Sequence, residues 1–156
     1  MKELIIIRGP SGSGKSTLAR HLNDVPGEHV GVLSSYYEAD SFFVDPIYGG
    51  YCFDANLLRY AHSRCQSGVA WAMYHKIDRV IVSNTNTTMK ELQTYLDLGA
   101  KFNYEIRVIR TPGPWVPEIL FKRNVHDVPL EVLEKQIGRY TPYKDEEEWS
   151  DLSIYV

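Results

Sequence analysis

The residues with the plainest chemistry are Gly9-Pro10-Ser11-Gly12-Ser13-Gly14-Lys15-Ser16-Thr17. They follow the apolar run Leu4-Ile5-Ile6-Ile7 and lead into Leu18-Ala19-Arg20-His21-Leu22. Strand, glycine-rich turn and helix start are the context in which GxxxxGK[ST] cradles phosphates. Glycine lets the backbone approach an anion closely, and the helix start adds unpaired N–H groups and the positive end of a dipole. Gly9, Ser11, Gly12, Ser13, Gly14 and Thr17 are the expected cradle for the phosphates of ATP. Lys15 is expected on the β- and γ-phosphates, and Ser16 on Mg²⁺ through its hydroxyl.

A phosphate loop says only that a nucleotide binds; the receiver of the phosphoryl group must be sought elsewhere. Asp40 lies just past the second apolar segment, where ligands of open α/β sheets bind. A carboxylate there can take the proton of an acceptor hydroxyl, a step worth about 10²–10⁴ in rate. It can equally be a helix N-cap or a loop charge. Glu38 and Asp45 read as solvated loop charges. Arg123, in Leu120-Phe121-Lys122-Arg123-Asn124, sits on a short proline-bounded segment suited to a lid, from which an arginine can offset transition-state charge. Lys122 reads as a surface residue, and Arg20, Arg107 and Arg110 are weaker phosphate candidates. Asn84, Thr85 and Asn86 follow the third strand; they either orient acceptor and metal-bound water or satisfy a turn. No acid ends that strand, which stops at Ser83-Asn84. That favours a small kinase over a motor ATPase. His62 reads as a core or boundary histidine.

The elements that must position these groups follow from periodicity. Residues 3–8 read as a strand buried on both faces, and Lys15 to about Asp24 as a helix ended by Pro26-Gly27. His29–Ser35 reads as the second strand. Asp54 is the expected N-cap of a long helix to about His75, in which Gly68 marks a possible kink. Arg79–Ser83 is the third strand. Thr88 and Glu91 have capping-box spacing for a helix ending at Gly99. Tyr104–Ile109 is the fourth strand. Pro117 opens a short helix to Arg123 and Pro129 another, with Val132, Leu133, Gln136 and Ile137 on one side. Strands alternating with helices imply parallel pairing. The expected fold is an α/β, P-loop NTPase three-layer domain over residues 1–144, with a parallel sheet of four to five strands and a helical lid.

Apolar content of 44% and charged content of 24% suit a globular domain of 156 residues. No apolar run is long enough to span a membrane, and none near the start resembles a secretory signal, so a cytoplasmic location is expected. Cys52 and Cys65 have no companions at zinc spacing. Net charge is −3, but residues 145–156 carry five acids and no base, leaving the rest at +2. This last stretch is expected to be a solvated acidic tail. The mildly basic body suits a polyphosphate or a nucleic-acid end and excludes duplex binding by charge alone.

Together, GPSGSGKSTLAR, ADSFF, the YCF…L…AH stretch at 51–62, VIVSNTNT, the segment from Tyr95 to Tyr104 and LFKRNVHDVP resemble the polynucleotide-kinase-like P-loop family. That family includes the 5′-kinase domain of phage polynucleotide kinase and small stand-alone relatives. The resemblance spans most of residues 3–142. It implies phosphate and metal binding by Lys15 and Ser16, activation of a 5′-hydroxyl by Asp40, and a lid contact to ATP by Arg123. Two positions depart from it: Ser41 stands where a second acid is frequent, and Phe43 where the polynucleotide kinase has an acceptor-phosphate arginine. Phe42 and Phe43 either stack on a base or pack in the core. The expected activity is ATP-dependent transfer of the γ-phosphoryl group to a hydroxyl of a nucleic acid or nucleotide. The alternatives are a kinase acting on hydroxymethyl-pyrimidine bases of DNA, and an ATP-binding switch or adaptor that is no kinase.

Overall fold

The computed structural model describes residues 2–24 and 32–156. Its strands are Glu3–Arg8 (β1), Ser34–Tyr37 (β2), Arg79–Ser83 (β3), Glu105–Arg110 (β4) and Glu146–Glu148 (β5). They form one sheet in the order β2-β3-β1-β4-β5, and every pairing is parallel. The helices are Lys15–Asp24 (α1), Leu58–Tyr74 (α2), Met89–Lys101 (α3), Pro117–Arg123 (α4) and Leu130–Gly138 (α5). The α/β class and the parallel sheet expected from the sequence are therefore present.

β1 is central because it is covered on both faces. Leu4 and Ile6 join a core with Ala61, Cys65 and Val69 of α2 and Leu92 and Tyr95 of α3. Ile5 and Ile7 join a second core with Leu18, Ala19 and Leu22 of α1. Each fully buried Leu, Ile or Val side chain among them contributes roughly 1.5–3 kcal/mol by leaving water. This fixes the carboxyl end of β1, where the phosphate loop begins.

Several expected boundaries move. The second strand lies at Ser34–Tyr37, pairing Tyr36 with Ile81 and Tyr37 with Val82, rather than at His29–Ser35. Positions 29–31, and the expected helix stop at Pro26-Gly27, lie outside the described residues. Asp54 does cap, accepting from Asn56 N at 2.9 Å, but it opens a 3₁₀ turn over Ala55–Leu57 that precedes α2. Gly68 makes no break: α2 runs through it, and a Cβ there would lie 2.8 Å from the Tyr37 ring. Gly99 is likewise inside α3, where its missing side chain admits Ile106 of β4. Both glycines record close approach instead of interruption. The capping box of Thr88 and Glu91 is formed as expected.

The acidic stretch corrects the largest expectation. It is not a solvated tail but the edge of the sheet, with Val108, Ile109 and Arg110 in register with Glu146, Glu147 and Glu148. Each of these acids has a partner. Glu146 accepts from Arg8 Nη1 at 2.7 Å, with side chains only 0% (Arg8) and 7% (Glu146) exposed. Glu147 pairs with Arg107, and Glu148 accepts from Gly113 N at 2.7 Å. Beyond β5, Trp149 and Ile154 pack on the α1 core.

Candidate active site

The phosphate loop leaves β1 at Gly9, whose N–H donates to Thr85 O at 3.2 Å, and ends in the first turn of α1. Gly12 (φ +79°) and Gly14 (φ +98°) use backbone that L residues rarely adopt. Both are also crowded. A Cβ on Gly12 would lie 2.5 Å from the Leu120 carbonyl of α4, and one on Gly14 would lie 2.4 Å from the Tyr155 ring. The loop is thus clasped between α4 and the 3₁₀ turn Leu152–Tyr155. Ser13 is buried, its Oγ accepting from Thr111 Oγ1 at 2.8 Å and its N–H donating to Pro10 O at 3.2 Å. Ser11 N donates to Gln136 Oε1 of α5 at 2.9 Å.

A cavity of about 1250 Å³ opens over this loop. Ser11 to Thr17, Glu38, Asp40, Ser83, Asn84, Thr85, Arg123 and His126 line it, as does the apolar wall of Phe53 and Leu58. Lys15 Nζ donates to Pro10 O at 2.9 Å. Burial of its ammonium lowers the Lys15 pKa to about 8, against the opposing attraction of Asp40 and then Glu38. Lys15 and both carboxylates therefore share one electrostatic environment.

Glu38 is no solvated charge. Its Oε2 accepts from Ser16 Oγ at 3.2 Å and from Tyr36 OH, and its Oε1 from Ser41 Oγ at 3.5 Å. Tyr36 and Glu38 are two residues apart at the end of β2, so both project to the same face. That alternation was the readable signal. Burial, and then the bond to Glu38, pushes the Tyr36 phenol up. Hydroxyl and carboxylate oxygens side by side are the hard donors that Mg²⁺ takes. Among the described residues, no group of three or more His, Cys, Asp or Glu side chains is placed to hold a metal, so Ser16 and Glu38 would share the ion with phosphate oxygens and water.

Asp40 lies in the 3₁₀ segment Ala39–Phe43 and opens onto the cavity, its side chain 45% exposed. Its Oδ1 faces Tyr51 OH at 3.3 Å and its Oδ2 faces His126 Nε2 at 3.6 Å. Asp45 instead closes a turn by accepting from Ile47 N and Tyr48 N, bonds that lower its pKa. Arg123, at the end of α4, lines the cavity and makes no ion pair among the described residues. Arg20 lines it too. Arg107 is engaged with Glu147, and Arg110 stacks on Trp115 at 4.2 Å, outside the cavity. His62 is half-buried on the cavity wall.

The three residues after β3 separate. Asn84 Oδ1 accepts from Ala39 N at 2.8 Å and its Nδ2 donates to Tyr95 OH at 3.2 Å, so it fixes the segment carrying Asp40. Thr85 reaches the cavity. Asn86 is buried with φ +45°, its carbonyl accepting from Arg8 Nε, and does not line the cavity. Nor do Phe42 and Phe43. Phe43 is 5% exposed in the core, which removes it as a stacking surface, and Phe42, half-buried, packs edge-on to it at 5.2 Å. Phe43 instead supports Phe53, 5.0 Å away, which is 53% exposed on the cavity wall. Gln136 and His126 were not singled out from the sequence. A polar side chain on the buried side of α5 was the signal for Gln136; His126 had none beyond its place in KRNVHDVP.

A family model described as "AAA domain" matches residues 4–143. Human NEDD4-binding protein 2 is 36% identical over 141 residues, covering 88% of this chain and 8% of that protein. The chain thus spans less than a tenth of that relative's length. Among solved structures, the Pnkp1/Rnl/Hen1 RNA repair complex aligns at 20% identity with a TM-score of 0.67, covering 89% of this chain and 44% of that one. A gluconokinase from Sinorhizobium meliloti 1021 aligns at 15% identity and 0.61, covering 94% and 81%. The Mycobacterium tuberculosis APS kinase CysC, in complex with AMPPNP and APS, aligns at 15% identity and 0.60, covering 98% and 91%. At these identities the likeness is one of fold, a P-loop kinase-like fold.

Proposed function

From the premise that the chain belongs to the AAA domain family and has a P-loop kinase-like fold, we propose that it is an ATP-dependent kinase acting on a hydroxyl of a nucleic acid or nucleotide. The observation that carries this reading is the convergence of Lys15 and Asp40 on one cavity above the phosphate loop. ATP lies with its phosphates over the loop, on the amides of Gly12 and of Gly14 to Thr17, since those of Ser11 and Ser13 are already bonded. Asp40 accepts the proton of the acceptor hydroxyl. The freed oxygen forms the new bond to the γ-phosphorus as the bond to the β–γ bridging oxygen breaks, and ADP leaves. Lys15 and Arg123 stabilise charge on the transferring group, and most of the acceleration is positioning and electrostatics. Mg²⁺, when bound beside Ser16 and Glu38, neutralises phosphate charge.

Phe53 and Leu58 give the cavity an apolar wall. Such a wall suits a nucleobase, since base–aromatic stacking is worth about 1–3 kcal/mol. This supports a base-bearing acceptor, in line with the polynucleotide-kinase-like resemblance, over a sugar acid or an inorganic ester. The test is a screen of acceptors with γ-labelled ATP: 5′-hydroxyl oligonucleotides, nucleosides and DNA with hydroxymethyl-pyrimidines. Labelling of a base-bearing acceptor supports the reading. ATP hydrolysis with no labelled acceptor would favour a switch or adaptor.

A further inference from the structure

The segment from Leu120 to Val128 touches both halves of the site. At one end the Leu120 carbonyl and Asn124 lie directly over Gly12 of the phosphate loop. At the other, His126 Nε2 lies 3.6 Å from Asp40 Oδ2. Asn124 makes the connection stiff. Its Oδ1 accepts from Val128 N at 2.9 Å, and its Nδ2 donates to Phe121 O at 3.0 Å and Val128 O at 3.4 Å. Asp127 takes a left-handed φ of +53°, which turns the chain within this clamp. His126 is therefore carried on a loop whose position is set by the helix that packs over the phosphate loop.

The surroundings of His126 are equally specific. Its ring lies against the Tyr51 ring, with centroids 4.3 Å apart at 36°, and Tyr51 OH faces the other Asp40 oxygen at 3.3 Å. Asp40 is thus flanked on two sides. Among the described residues His126 Nδ1 is buried without a partner, so the residue's polar contact in this site is the one it makes through Nε2. Nothing in the reaction proposed above uses this histidine.

We propose that His126 is a positioning residue that links the α4 lid to the acceptor side by orienting the Asp40 carboxylate. The inference rests on the reading of Asp40 as proton acceptor. α4 is packed over the phosphate loop, and the clamp of Asn124 fixes His126 beside Asp40. Asp40 Oδ2 is then held by Nε2, leaving Oδ1 to meet the acceptor hydroxyl in place of the long Tyr51 contact.

The test compares His126→Ala, His126→Gln and Asp40→Asn in the intact chain, with a labelled acceptor from the screen and calorimetric binding of ATP. His126→Ala is expected to lower kcat about tenfold while the Kd for ATP stays within about twofold, because the lost contact acts on the base and not on the phosphates. His126→Gln, whose amide N–H stands in for Nε2–H, is expected to recover most of that rate. A thermal melt checks that both variants are folded. An unchanged kcat in His126→Ala, a Kd for ATP that weakens in parallel with kcat, or a Gln variant no better than Ala would each overturn the proposal. Failure of the underlying reading looks different: Asp40→Asn would then keep wild-type kcat.

Discussion

Removing Glu146 tests whether the C-terminal strand belongs to the domain. Its carboxylate is 7% exposed and engages Arg8, which is wholly buried beneath the Tyr140 ring. It also accepts from Tyr140 OH at 2.8 Å and Tyr143 N at 2.6 Å. Glu146→Ala leaves a guanidinium in the interior with no counter-charge, a defect that costs about 3–5 kcal/mol. For a domain of this size the melting temperature should fall by roughly 6–20 °C. Glu147→Ala is the matched control, since the pair with Arg107 is 44% and 49% exposed and such surface pairs contribute about 0–1 kcal/mol. Urea titration followed by far-UV circular dichroism measures both. ATP affinity should fall with Glu146→Ala as well, because β5 leads into Trp149–Tyr155 and Tyr155 packs on Gly14. Replacing both partners by apolar residues, Arg8→Met with Glu146→Leu, should restore only part of the stability, because the carbonyls of Asn86 and Thr141 and the Tyr143 N–H also lose their partners. If Glu146→Ala is as mild as Glu147→Ala, the strand is an appendage and the argument for its structural role is wrong.

Further outcomes follow from the loop and its carboxylates. The Lys15 pKa of about 8 lies below its unfolded value of 10.5, so the folded state binds fewer protons between the two. This group should make stability rise with pH across that window, and Lys15→Met should abolish its share. ATP affinity should move the other way, weakening as pH rises through about 8; calorimetry from pH 7 to 9 that finds equal slopes in wild type and Lys15→Met would refute it. Gly14→Ala meets both a positive φ and the Tyr155 ring, and the strained backbone alone costs about 1–3 kcal/mol, so ATP binding should weaken about tenfold or more. Tyr155→Ala in that background should recover only the part due to the ring; full recovery would show that φ is not limiting. Glu38→Gln should raise the Mg²⁺ concentration needed for half-maximal activity severalfold, with little change in metal-free nucleotide binding. An unchanged Mg²⁺ requirement would remove Glu38 from the metal site.

Much of the fold was legible because its signals are local. The run Leu4–Ile7, the glycine turn and the capping box of Thr88 and Glu91 each declare themselves within a few residues. β5 was hidden because three consecutive acids look solvated until their partners are known. Those partners, Arg8, Arg107 and the amide of Gly113, stand far off in the sequence. Gly68 was read as a possible kink and Gly99 as a helix stop because the side chains filling their space, Tyr37 and Ile106, come from other elements. In the site, Lys15, Ser16, Asp40 and Arg123 could be proposed from motif and position, and they line one cavity. Glu38 was misjudged because its environment is made by Ser16 on α1 and Tyr36 on β2. Phe43 was left between stacking and packing because an aromatic beside Asp40 says nothing about which way the short helical turn faces. His126 reaches Asp40 only through tertiary contact, across more than eighty residues of chain.

Transfer from γ-labelled ATP to a base-bearing hydroxyl acceptor, measured for wild type and Asp40→Asn beside ATP binding by each, tests the central claim most directly. The account predicts that Asp40→Asn binds ATP within about twofold of wild type and loses about 10²–10⁴ in transfer rate, the share expected of a general base. Transfer by Asp40→Asn at the wild-type rate, with ATP bound as before, would contradict it.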